Sequence, residues 1–160
     1  MLIRPLDPAA DLPLVAGFYA EAPDYWLLAE GVLPGPEKAR DFFTDCPPGS
    51  DPAAAHRLGL FLDDRLSGLV ELSFGFPEPE DAYLGLMILG PWAQGGGHGA
   101  RALAHVEALA RQAGCPRLYL GVLGRNPRGW AFWQREGFAP TGVSRVTDQG
   151  DRVHRMMKTL

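Results

Sequence analysis

The chain reads as a mixed α/β domain of the α+β type, and three observations predict it. Residues 57 to 76 alternate and branch as strands do, with Asp63-Asp64 between them as the turn of a hairpin. An apolar run, Ala82 to Leu89, passes directly into the cluster Gly95, Gly96, Gly97 and Gly99 and then into an amphipathic stretch. A second strand pair closes the chain around Asp148-Gln149-Gly150-Asp151.

Each element follows in order. Leu2 to Leu6 predicts a short strand, and Leu12, Val15, Ala16 and Tyr19 recur at helical spacing up to about Ala20. Pro36 opens a second helical stretch to Asp45, at a position where a missing N–H does no harm. The segment CPPGSDPAAA, 46 to 55, is a loop, because consecutive prolines remove donors and disfavour helix before them. LGLFL and RLSGLVELSFGF form the hairpin, the latter running to Phe76. AYLGLMIL, apolar throughout, suits a central strand covered on both faces. Leu103, Val106, Ala110 and Ala113 mark the buried face of the next helix, ended by Gly114 and Pro116. RLYLGVL is a strand, Pro127 to Arg135 a short helix, and FAPTGVSRV and RVHRMMKTL the final pair.

Composition narrows the function classes. With 160 residues, 46% hydrophobic and 21% charged, residues 1–160 are expected to fold as a single domain around one core. A net charge of −4 without a basic tract argues against nucleic acid and against an anionic membrane as partners. No signal-type leader and no apolar run of about 18 residues occur, so a cytoplasmic location is expected. Cys46 and Cys115 lack any partner motif and read as free thiols, with a disulfide left open. His56, His105 and His154 are scattered without acidic neighbours at ligand spacing, so no metal is expected.

The glycine cluster is the first candidate site. A strand, a glycine turn and a helix in succession aim unpaired N–H groups and a partial positive charge at one point, where a phosphate can dock. The same glycines could equally make nothing more than a tight turn. No Gly-Lys-Ser/Thr ending follows, which excludes an ATP-type phosphate loop, and the dinucleotide fingerprint lacks its βαβ unit.

The pattern Gln94-x-x-Gly97-x-Gly99, followed by Asn126, the pair Phe132-Trp133 and Gly137-Phe138, resembles the GCN5-related N-acetyltransferases. The resemblance covers nearly the whole chain and is most specific over residues 82 to 140. It implies a mixed central sheet of about six to seven strands, splayed between the fourth and fifth and flanked by helices. It also implies acetyl-CoA as cosubstrate. Gln94, Gly95, Gly96, Gly97, Gly99 and Ala100 would hold the pyrophosphate through their backbone. Met87, Ile88 and Leu89 would pair with the pantetheine arm, which Asn126 would also help to hold, although an Asn before Pro can simply make a turn. Two positions depart from the family pattern. Gly96 stands where many members carry a cation, leaving His98 as the nearest source of charge, and Trp133 stands beside the cofactor site where a Tyr often protonates the departing thiolate.

Glu71, inside GLVELSFGF, is the candidate base or substrate anchor, since apolar surroundings raise a carboxyl pKa toward useful values. Strand alternation also allows it to face solvent. Tyr83 is the second catalytic candidate, with a core hydroxyl as its alternative. The resemblance makes PDYWLLAEG, 23 to 31, the wall of an acceptor pocket, where Tyr25, Trp26 and Glu30, with Asp24, offer aromatic faces and negative charge to an ammonium. The expected function is direct acetyl transfer to a primary amine of a small molecule or an amino terminus. The alternative is a noncatalytic acyl-CoA-binding or sensing module of the same fold. A homodimer is one option for assembly.

Overall fold

The computed structural model describes residues 1–160. From the N-terminus come β1 (Leu2–Pro5), α1 (Leu12–Glu21), α2 (Asp24–Glu30), α3 (Pro36–Thr44), β2 (His56–Leu62), β3 (Arg65–Phe74) and β4 (Ala82–Leu89). There follow α4 (His98–Gln112), β5 (Arg117–Leu123), α5 (Pro127–Arg135), β6 (Ala139–Val146) and β7 (Arg152–Thr159). All seven strands join one sheet in the order β1-β2-β3-β4-β5-β7-β6, with β4 and β5 parallel and every other pair antiparallel.

Alternation along the strands gives the sheet two apolar faces. On one, Leu58, Leu60, Val70, Leu72, Leu84, Leu118, Leu120 and Met156 pack under α4 through Ala102, Leu103 and Val106. On the other, Leu69, Phe61, Leu66 and Ile88 pack under α1 and α3 through Val15, Phe18, Ala39 and Phe42. Two expectations shift. β3 ends at Phe74 rather than Phe76, because Gly75 turns the chain at φ 87°. The Ala82–Leu89 run is not covered on both faces throughout: Ala82, Leu84 and Ile88 are buried, but Gly85 is exposed and Leu86, Met87 and Leu89 are half-buried. An apolar strand that is not fully covered lines an opening.

Candidate active site

The opening comes from the sheet's own register. β4 pairs with β5 only at Ala82–Leu118, Tyr83–Tyr119 and Leu84–Leu120, after which the two strands part. β4 stays paired to β3 as far as Leu89, and β5 to β7 as far as Leu123. Beyond Leu84 and Leu120, therefore, each strand presents one backbone edge to the gap without a strand to bond it. The gap widens into a cavity of about 720 Å³ lined by Gly85 to Leu89 on one side and by Gly121, Val122 and Leu123 on the other.

The glycine turn closes one end of that cavity. Gly95 and Gly97 stand at φ 80° and 79°, a region open to glycine but strained for other residues, and a Cβ added to either would meet nothing within 4 Å. No N–H from Gly95 to Gly97 is bonded within the protein, and α4 starts without a side-chain cap. An array of free donors at a helix start is an anion site by construction. Gln94 Nε2 donates to the Leu89 carbonyl at 3.2 Å, tying the turn back to the end of β4. Gly99 lets α5 approach, since a Cβ there would stand 3.2 Å from Phe132. Across the gap Asn126 caps α5, its Oδ1 accepting from Gly129 N at 2.9 Å. Asn126 therefore has a local structural role, as a helix cap, and it also lines the cavity.

On the α1–α3 face of the sheet lies a second set of groups. Glu71 is 6% exposed, which removes the reading in which it faces solvent. It accepts a short hydrogen bond from Ser73 Oγ, and its other oxygen occupies the space that a Cβ on Gly85 would need. A register shift between β3 and β4 at Glu71 leaves Gly85 as the extra residue, so the carboxylate abuts the point where the gap begins. Burial raises its pKa above the ordinary range, outweighing the Ser73 hydrogen bond and the nearby Arg57 guanidinium. Tyr83 is half-buried, its phenol also raised by burial, and its Oη would stand 3.2 Å from a Cβ on Gly121.

A model of the acetyltransferase (GNAT) family matches residues 18–138. The chain belongs to that family. Among solved structures, it is similar to an acetyltransferase from Thermus thermophilus, at 31% identity and TM-score 0.80, over 100% of this chain and 98% of that one. The fold is shared with the paiA N-acetyltransferase of Thermoplasma acidophilum, solved in complex with coenzyme A, at 22% identity and TM-score 0.70, over 99% and 98% of the two chains. It is shared too with a ribosomal-protein-alanine N-acetyltransferase from Brucella melitensis, at 20% identity and TM-score 0.73, with both chains fully covered.

In this GNAT domain the cavity brings together Tyr25, Met87, Ile88, Leu89, Gln94, Gly95, Gly97, Gly99, Ala100, Asn126 and Trp133. Gly96 and His98 do not line it; the His98 ring folds back beside Gly96, with its Nδ1 buried and without a partner. Trp26 is turned away, edge-on to Tyr19 at 5.6 Å and under the Lys38 ammonium at 4.5 Å. Glu30 is held by Lys38 at 2.8 Å, which neutralises the charge it was expected to offer. Trp133 packs edge-on against Phe132 and Phe138. Sequence reasoning missed Leu28, Arg128 and Arg135, which line the cavity, and Ser73, which binds Glu71. The i,i+7 spacing of Arg128 and Arg135 on α5 was the signal available for those two. No helix is long and apolar enough to cross a membrane, and no group of three or more His, Cys, Asp or Glu side chains is placed to hold a metal ion.

Proposed function

We propose that residues 1–160 act as one acetyl-CoA-dependent N-acetyltransferase domain that transfers acetyl directly to a primary amine of a small molecule or an amino terminus. The observation that carries this is the parting of β4 and β5 after three paired rows, because it leaves unbonded strand edges leading to the free donors of the glycine turn. A pyrophosphate suits those donors, and an amide-bearing arm suits the strand edges. Gly95, Gly97, Gly99 and Ala100 would take the first, with Arg128 and Arg135 available for remaining phosphate charge. Met87 to Leu89 and the Asn126 amide would take the second.

When bound, acetyl-CoA supplies an acetyl group activated as a thioester. The acceptor must reach it as a neutral amine, since an ammonium has no lone pair. Glu71 is suited to take that proton: it is buried, its pKa is raised, and it sits where the gap begins. The new N–C bond forms as the C–S bond breaks, and the sulfur leaves with a proton from water, because an indole such as Trp133 is a poor acid. Tyr83, on the strand next to Glu71 and with its hydroxyl reaching over Gly121 of β5, orients the acceptor. The reading needs no metal and no membrane, and it is consistent with a cytoplasmic enzyme.

A second reading, a module that binds acyl-CoA without turning it over, draws on Trp133 being packed among aromatics where the family often has an acid. One experiment separates the two: acetyl-CoA with a panel of amines, following thiol release and mass gain of each amine. Acetylated product supports the enzyme. Saturable CoA binding with no product from any acceptor supports the module.

A further inference from the structure

Two arginines on the acceptor side play no part in the chemistry proposed above. Arg155 on β7 is the register partner of Gly121 on β5, the residue over which the Tyr83 hydroxyl lies. Directly paired residues share a face of the sheet, so Arg155 stands beside Tyr83 at the base of the gap. Its guanidinium lies 5.1 Å above the Phe76 ring, and Phe76 packs edge-on against Tyr83 at 5.1 Å. Arg145 on β6 pairs with Val153, two residues from Arg155 and therefore on the same face. Both charges pull the Tyr83 phenol down against burial, and Arg145 also does so at Tyr25, which lines the cavity.

Neither guanidinium has a carboxylate within 4.0 Å. Nearby acids are already engaged: Asp151 by Arg125, Glu30 by Lys38 and Glu71 by the Ser73 hydroxyl. Asp24 is exposed at the rim, where solvent screens it. Two unpaired cations, one of them over an aromatic ring, thus share the Tyr83 face of the sheet beside the point where the gap begins.

We propose that the acceptor is an amine that also carries an oxyanion, carboxylate or phosphate, and that Arg145 and Arg155 grip this oxyanion while the amine faces the gap. The guanidinium fork matches either anion with paired hydrogen bonds, and stacking on Phe76 limits the freedom lost on binding. The same charges select against polyamines, whose second ammonium would be brought against like charge. The inference rests on the acetyltransferase reading of the cleft.

The test uses matched acceptors, an α-amino acid against its amide and O-phosphoethanolamine against ethanolamine, with rates referred to the neutral fraction of each amine. The anionic member of at least one pair is expected to have a kcat/KM about tenfold to a hundredfold higher, the range of charge-assisted hydrogen bonds. The preferred pair tells carboxylate from phosphate. Arg155→Gln and Arg145→Gln should collapse the ratio toward one, through KM rather than kcat. Equal or better turnover of the uncharged members, or variants that leave the ratio intact, would overturn the inference while leaving the acetyltransferase standing. Binding of the corresponding N-acetylated products to the CoA-bound protein is measured in parallel and needs no turnover. If the anionic product does not bind more tightly than its neutral counterpart, or Arg155→Gln does not remove the difference, the inference fails by that route as well.

Discussion

Replacing Glu71 with Gln should make the protein more stable and the enzyme slower at the same pH. The carboxylate is buried, and its pKa is raised chiefly by loss of hydration. A carboxyl whose folded pKa lies above its unfolded one holds its proton where the unfolded chain has lost it. Its contribution to stability is therefore full below the ordinary value and is lost as pH rises through the raised one. At pH 8 the wild-type fold carries that penalty, about 1.4 kcal/mol for each unit of pKa displacement. Glutamine keeps the shape and can still accept from Ser73 Oγ, so it removes the penalty and little else. A protein of this size moves about 2–4 °C in Tm per kcal/mol, which makes a rise of a few degrees the expected signal. Thermal unfolding of both proteins from pH 4 to 8 should show the two curves converging toward acid. If Glu71 is the base, kcat/KM should fall roughly 10²-fold, and the rise of wild-type kcat/KM with pH should lose the step that belongs to the carboxyl. A Glu71→Gln variant that is less stable at pH 8, or one that retains full activity and the same pH profile, would refute the reasoning.

Three further outcomes are expected. Acetyl-CoA at a hundredfold excess over Kd should stabilise the protein by about 2.7 kcal/mol in a thermal-shift assay, and Gly97→Val or Gly99→Asp should abolish the shift. Gly97 needs its positive φ, and a side chain at Gly99 would press on Phe132. Trp133→Phe should keep kcat within about tenfold in a thiol-release assay, because packing rather than roughly 10² to 10⁴ of acid catalysis is at stake. Asp81→Ala should lower stability by about 2 kcal/mol in urea titration, because it removes a fully buried acceptor that holds Arg117 Nε at 2.7 Å.

What could be read in the sequence was whatever local chemistry decides. The glycine turn and the AYLGLMIL strand before it were legible, because positive φ and apolar runs are properties of neighbours in the chain, whereas Asn126 was read as a possible turn and stands as a helix cap. Glu71 was visible as an anomaly in an apolar strand. Its burial was not, because the covering elements, α1 and α3, lie in a part of the chain with weak patterning. The pairing of Glu30 with Lys38 joins two helices across a loop, which no periodicity reports. Arg145 and Arg155 escaped for a related reason. A register shift between Pro140 and Ser144 breaks the alternation of β6 against β7, so the face each arginine takes is set by pairing rather than by pattern.

The brevity of the contact between β4 and β5 has a mechanical meaning. The β1–β4 part of the sheet and the β5–β7 part are laced together by three rows at one end, and α4 lies across both as a splint. Such a seam is the natural place for the protein to breathe, with each part moving as a stiff plate about the line from Leu84 to Leu120. A molecule lying along both open edges would extend the lacing and lock the plates. Amides flanking the seam should then exchange with solvent faster than those within either plate, and cosubstrate should slow them first.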